Sequence, residues 1–369
     1  MSHFLGGMGA HGDGQPVERQ PADGSPLVGS LPGGRAGRFA RPLPSAEAVT
    51  PRNRLGCTEP FWTRVLLRDR LLAMVGSDRE LRLNLPDGRQ LEVLADGPAD
   101  GLPLLFHYGT PCGAVRYGPL VEAAARRELR TIVYSRPGYG SSTAKHGRSV
   151  ADAVKDVEAI LGELGADEFV TIGWSGGGPH ALACAALLPD RCVAAVSLAG
   201  VAPYRVDGLD WMAGMASGNV KEYSLAVEGE AALTPFLEDA LRTYLEIRGP
   251  EVAAALGSLV SDVDKGALTG LFADFLAATF RHAVSNGIAG WRDDDLAFVR
   301  DWGFDLAKID RPVAVWQGQQ DRMVPFTHGQ WLAEHIPNTR VHLYRDEGHL
   351  SLAVTALDRI IEDLVAIAR

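Results

Sequence analysis

The chain has 369 residues, 46% of them hydrophobic and 22% charged, an ordinary composition for a globular protein. Its formal net charge of −10 is unevenly divided: residues 1–73 hold nine Arg and no Lys against six acids, which leaves the remainder at −13. Such an acidic body argues against nucleic acid or an anionic membrane surface as a partner.

Residues 1–56 are rich in Gly, Pro, Ser and Ala and lack a hydrophobic period. They cannot bury enough surface to offset ordering entropy, and a disordered extension is expected there. Within 57–77, Phe61, Trp62, Val65, Leu66 and Leu72 follow helical spacing and predict a helix or linker. A second reading starts the native chain at Met74. From residue 78 the pattern changes. Arg82–Leu85, the turn residues Pro86-Asp87-Gly88 and Gln90–Leu94 predict a β-hairpin.

Strand and helix signals then alternate. Leu104-Leu105-Phe106 reads as a buried strand and leads into His107-Tyr108-Gly109-Thr110-Pro111. After a helix near 118–128, Thr131–Ser135 predicts a strand followed by the glycine-rich turn Arg136-Pro137-Gly138-Tyr139-Gly140. A helix near 150–164 precedes the strand Phe169–Trp174, and Ser175-Gly176-Gly177-Gly178 follows at once. Ser175 is flanked by glycines at i−2 and i+2, Gly173 and Gly177, between a strand and an Ala-rich helix near 176–188. A serine pushed out of so tight a turn would clash with its neighbours if those positions carried side chains. Val193–Leu198 predicts the next strand. The alternation implies right-handed crossovers and a mostly parallel sheet in an α/β fold.

Between 202 and 305 strand signals vanish, and the segment reads as helices with Trp211, Met212, Met215, Tyr223, Phe236, Leu237, Tyr244, Leu271, Phe272, Phe275, Phe280 and Trp291 along it. Alternation resumes over 306–369. The strand Pro312–Trp316 leads to Asp321, which falls in the loops beyond the carboxyl edge of the sheet, where sites of open α/β folds lie. Val341–Tyr344 predicts the last strand, with His342 structural and His349 in the loop that leads to the final helix.

The order Ser175, Asp321, His349, with a turn at Gly109-Thr110-Pro111, resembles the α/β-hydrolase superfamily over residues 78–369. The resemblance implies a hydrolase core in two parts, 78–201 and 306–369, interrupted by a helical cap at 202–305. It implies Ser175 as nucleophile, His349 as base and Asp321 as its orienting acid. The oxyanion hole would be formed by Gly176 with Thr110 or Gly109. Tyr108 is read as inserted between the histidine and glycine of the family's turn. Ser135 stands where an acidic residue is frequent. Tyr108, Trp174, Trp211, Met212 and Met215 are the expected substrate contacts.

Cys57, Cys112, Cys184 and Cys192 are too few and too uneven for a disulfide framework or zinc site. No metal or cofactor motif is visible. With no apolar run of transmembrane length and no signal-peptide core, a cytoplasmic location is expected. The expected activity is cofactor-independent cleavage of an ester or related acyl bond in a small, largely apolar substrate. A carbon–carbon bond hydrolase, an aminopeptidase-like hydrolase, a peroxidase or perhydrolase and a lyase could use the same residues. For an aminopeptidase, Glu228, Glu230, Glu238 and Asp239 are the candidate carboxylates. Outside the enzyme class stands a ligand sensor that uses the same pocket.

Overall fold

The computed structural model describes residues 79–369, so the expectations for 1–56 and 57–77, and for Cys57, lie outside the described residues. Eight strands form one sheet in the order β1-β2-β4-β3-β5-β6-β7-β8. They are β1 Arg79–Asn84, β2 Gln90–Asp96, β3 Leu102–His107, β4 Leu129–Tyr134, β5 Phe169–Trp174, β6 Cys192–Leu198, β7 Val313–Gly318 and β8 Arg340–Tyr344. Only β2 runs against its neighbours, β1 and β4; every other pairing is parallel.

Parallel strands buried on both faces must be apolar at nearly every position, and β5 is buried from end to end. Alternate residues serve opposite layers. Leu105, Ile132, Ala195 and Val315 pack with helices α2 (Ala153–Leu164) and α3 (Gly178–Leu187). Leu104, Val133, Ile172, Val196 and Ala314 pack on the other side, with α1 (Gly118–Ala125) and the C-terminal helix Leu357–Ile367. The chain is thus an α/β-hydrolase fold, a mostly parallel sheet sandwiched between helices.

All secondary structure between β6 and β7 is helical: α4 Ser217–Glu228, α5 Glu230–Glu246, α6 Val252–Leu256, α7 Asp262–Ala267, α8 Gly270–Ala283 and α9 Ala289–Phe298, with short 3-10 turns. Beyond β7 come α10 (Phe326–His335), α11 (His349–Thr355) and α12 (Leu357–Ile367). His349 therefore heads a short helix, where the sequence predicts a loop. No helix among the described residues is long and apolar enough to cross a membrane.

Candidate active site

Strand β5 ends at Trp174, and Ser175 takes a left-handed backbone, φ 57°, before the chain turns into α3. A non-glycine residue there costs about 1–3 kcal/mol, and such strain gathers at functional sites. Surroundings too tight for side chains hold the turn. A Cβ on Gly173 would overlap the Gly177 carbonyl, and one on Gly177 would overlap the His107 carbonyl at the end of β3. His180, on the first turn of α3, donates from Nδ1 to the Gly176 carbonyl at 2.9 Å and fixes the turn from within.

Asp321 and His349 meet from separate loops at the same edge of the sheet. His349 Nδ1 lies 2.7 Å from Asp321 Oδ2, and both side chains are buried. The carboxylate is itself immobilised. Its Oδ1 accepts the amides of Met323 and Val324, each at 2.8 Å, and Oδ2 also accepts Gln317 Nε2 at 3.0 Å. Burial alone would depress the imidazole pKa, but the charge of Asp321 and its hydrogen bond outweigh it, so His349 is raised above its ordinary value.

One cavity is lined by Ser175, Gly176, His349 and Trp174 together with the Gly109–Cys112 loop. Gly109 leans directly on the serine, its hypothetical Cβ 3.1 Å from Ser175 Cβ, and Thr110 lies against Gly176. That loop is held by a buried charge cluster. Arg136 donates to the carbonyls of Tyr108 and Gly109, to Thr110 Oγ1 at 3.1 Å, and to Asp294 Oδ2 at 2.6 Å. Asp294, on α9 of the insertion, also accepts Thr110 Oγ1 at 2.8 Å and Tyr139 Oη at 2.9 Å, and pairs with Arg148 at 2.6 Å. Burial disfavours its charge, yet Arg136 and Arg148 hold its pKa well below the usual carboxylate range.

Several expected contacts lie elsewhere. Tyr108 packs between Phe106 and Phe275, donates to the Val115 carbonyl at 2.9 Å, and borders a separate apolar cavity with Leu94, Tyr117 and Leu120. Nor does it bulge β3, whose register with β5 is continuous through His107. Trp211 does not line the Ser175 cavity: its Nε1 donates to the Ala202 carbonyl and its carbonyl accepts His328 Nε2, so it is bolted to the scaffold. Met215 is buried in that same cluster and Met212 rests on it, both away from the cavity. Of the five expected contacts only Trp174 lines it. Glu228, Glu238 and Asp239 are exposed, and Glu230 pairs with Arg292 at 3.0 Å. Cys112 does line the cavity, but burial pushes its thiol up to about 12, which removes the thiolate.

The insertion's share of the lining comes from Asn219, Glu222 and Tyr223 on α4, Tyr244 on α5, Leu256 at the end of α6, Leu259 just after it, Phe280 on α8 and Trp291 on α9. Helical periodicity marks the aromatic residues among these as facing inward without saying against what, and it carries no signal for Asn219 or Glu222. The insertion also reaches the base and the acid. Asp264, on α7 and fully buried, accepts the Leu350 and Ser351 amides on Oδ1 at 2.7 and 2.9 Å, at the start of the helix that His349 heads. Ser261 Oγ donates to its other oxygen at 2.8 Å. Asn219 Nδ2 donates to the Met323 carbonyl at 3.0 Å, beside Asp321. Arg136 stands in a turn legible as a turn only, and Asp294 hides in the run Asp293-Asp294-Asp295. Three consecutive acids, all buried, are a signal in retrospect.

A family model described as the alpha/beta hydrolase fold matches residues 103–355, and the chain belongs to that family, an enzyme of the hydrolase class. It is 28% identical over 248 residues to a pimeloyl-[acyl-carrier protein] methyl ester esterase of Aromatoleum aromaticum, across 64% of this chain and 88% of the esterase. It is 25% identical over 279 residues to a bifunctional esterase/perhydrolase of Acinetobacter calcoaceticus, across 74% and 94%. Among solved structures, a hydrolase from Pseudomonas aeruginosa superposes with a TM-score of 0.57 at 18% identity, covering 79% of this chain and 99% of that one. This last likeness is one of fold.

Proposed function

We propose that the protein is a cofactor-independent serine hydrolase that cleaves an ester or related acyl bond of a small substrate through an acyl-enzyme. The observation that carries this reading is the 2.7 Å contact between His349 Nδ1 and Asp321 Oδ2 beside the cavity that the strained Ser175 lines. A carboxylate oxygen accepts, so Nδ1 keeps its proton and Nε2 is left as the basic nitrogen. His349 takes the Ser175 proton as the hydroxyl attacks the carbonyl and returns it to the leaving group; Asp321 stabilises the imidazolium between those steps. Gly176 and Thr110 amides serve the developing oxyanion, with Gly109 as the close spacer. Residues 202–305 act as a cap over the site, and its aromatic lining excludes water and favours apolar groups.

Labelling with a serine-directed fluorophosphonate tests the mechanism. Peptide mapping is expected to find the adduct on Ser175, and Ser175→Ala should abolish it. An adduct on another serine, or turnover of chromogenic esters by Ser175→Ala at the wild-type rate, would overturn the reading. Labelling without multiple turnover on any of an ester, peroxide or carbon–carbon substrate panel would favour the ligand sensor.

Asp264 supplies a second test. The raised pKa of His349 shifts the acidic limb of kcat/KM upward from the ordinary histidine value, because only the neutral imidazole accepts the serine proton. Asp264 contributes to that rise. Asp264→Asn should therefore move the limb to lower pH, while its amide oxygen still accepts the Leu350 and Ser351 amides and stability changes little. An unmoved limb in a folded variant would leave Asp264 with a purely structural role.

A further inference from the structure

The Ser175 cavity has two flanks of different chemistry, and the sheet order sets them apart. Strand β5, which ends beside Ser175, stands between β3, which feeds the Gly109–Cys112 loop, and β6-β7-β8, which feed the loops of Asp321 and His349. On the β3 flank the cap helix α8 docks just past that loop. The Gly113 amide donates to the Thr279 carbonyl at 3.2 Å, and Thr279 Oγ1 donates back to the Gly113 carbonyl at 2.6 Å. Phe280 follows Thr279. Tyr244 packs on Phe280 with ring centroids 5.3 Å apart and on Trp291 at 4.9 Å, and all three rings border the cavity with Pro111 and Cys112. Glu222 lines this flank at its Trp291 end, where the indole Nε1 donates to its Oε1 at 2.6 Å.

The other flank is aliphatic. Met323 and Val324 follow Asp321, Leu350 follows His349, and Leu259 is brought to them by α4: a Cβ on Gly218 would lie 3.6 Å from Leu259 Cδ2, and the adjacent Asn219 donates to the Met323 carbonyl at 3.0 Å. Trp174 borders both flanks, as the residue before Ser175 with its ring centroid 5.8 Å from that of His349. Proton transfer then fixes which half of an ester lies where. As Ser175 Oγ bonds to the acyl carbon, the bond from that carbon to the alcohol oxygen breaks, and that oxygen takes the proton held on His349 Nε2. The leaving alcohol must therefore lie on the His349 flank. With the carbonyl oxygen turned to the oxyanion donors, the acyl substituent is left the flank of Phe280, Tyr244 and Trp291.

We propose that Phe280, Tyr244 and Trp291 form an acyl subsite for an aromatic ring, so that the enzyme's substrates are esters of an arylalkanoic acid with a small aliphatic alcohol. The proposal rests on the serine-hydrolase reading and specifies its substrate class. A ring in that subsite gains edge-to-face contacts that an alkyl chain of equal size does not make. The aliphatic flank offers a short alcohol apolar contact on all sides without that geometric preference. After the alcohol departs, water attacks the aryl-acyl enzyme, His349 takes its proton and returns it to Ser175 Oγ, and the free acid is released.

A pair of isomeric esters tests the assignment. Methyl phenylacetate and benzyl acetate have the same atoms and the same ring, but the first carries the ring on the acyl side and the second on the alcohol side. The readout is the ratio of their kcat/KM values, each divided by the ester's rate of alkaline hydrolysis. The wild type should favour methyl phenylacetate by roughly tenfold or more, the size of one well-formed aromatic contact. Phe280→Ala and, independently, Tyr244→Ala should bring the ratio toward one, whereas Leu259→Phe, which narrows the alcohol flank, should raise it. Each ratio is taken within one variant, so a general loss of activity cancels, and circular dichroism establishes the fold of each. A wild-type ratio of one or below, or a ratio unmoved in both alanine variants, would overturn the subsite. So would Ser175 labelling by the fluorophosphonate without turnover of either ester, which leaves the serine nucleophile in place. Absence of labelling at Ser175 would instead remove the hydrolase reading itself.

Discussion

Asp321→Asn should lower kcat by about four orders of magnitude while the protein remains folded. The amide is nearly isosteric with the acid and can keep part of the anchorage that Met323, Val324 and Gln317 provide. What changes is the partner offered to His349. If the amide presents its NH2 group to Nδ1, the ring must accept there and carry its proton on Nε2, where it cannot take one from Ser175. If it presents its oxygen, the tautomer is right but the imidazolium formed during attack loses its counter-charge in a buried site. Both faults act on the transition state, so kcat falls far more than KM rises. Steady-state kinetics on chromogenic esters, with circular dichroism to establish the fold, checks this. A variant within tenfold of wild type would show that Asp321 does not orient the base.

Asp294→Ala is expected to be the most damaging change outside Ser175, His349 and Asp321. Asp294 offsets two buried guanidinium groups, Arg136 and Arg148, and receives hydrogen bonds from Thr110 and Tyr139. Removing one partner of a buried ion pair leaves an uncompensated charge and costs about 3–5 kcal/mol. Urea unfolding should report that loss as a lower midpoint at similar slope. The same change frees the Gly109-Thr110 loop, whose carbonyls and hydroxyl Arg136 holds in place. Loss of an oxyanion donor lowers kcat by roughly 10²–10³. Asp294→Asn separates the two effects: it keeps acceptors for Thr110 and Tyr139 but surrenders the charge, so stability should suffer more than kcat. Wild-type stability in Asp294→Ala would contradict the assigned role of the cluster.

What the sequence disclosed depended on how tightly local physics constrains each feature. Strands buried on both faces have no choice but to be apolar, so β3 to β7 stand out as runs. The turn at Ser175 admits only glycine on either side, and its spacing follows. The insertion is less legible for a physical reason. Amphipathic period shows that a helix buries one face and is silent about what lies opposite. Trp211 and Trp291 look alike in the chain, yet one is fixed to Ala202 and His328 and the other borders the Ser175 cavity. Charged residues mislead in the reverse direction. Asp294 occurs in a helix where acids are ordinarily solvated, and only the fold sets it against Arg136 and Arg148.

Asp264 gives the two parts of the chain a shared history. Its carboxylate comes from the insertion, but the amides it receives belong to the helix that begins with His349. Transplanting this insertion onto a relative, or a relative's onto this scaffold, would therefore exchange more than a pocket lining. A graft lacking an acid at the equivalent place would leave two amide donors bare beside the imidazole, and the recipient would lose reactivity even toward substrates that fit. Successful chimeras should be those whose crossover points keep Ser261, Asp264 and Gly348 from the same parent. A Cβ on Gly348 would meet the Asp264 carboxylate, so the recipient's residue there decides whether the graft can seat.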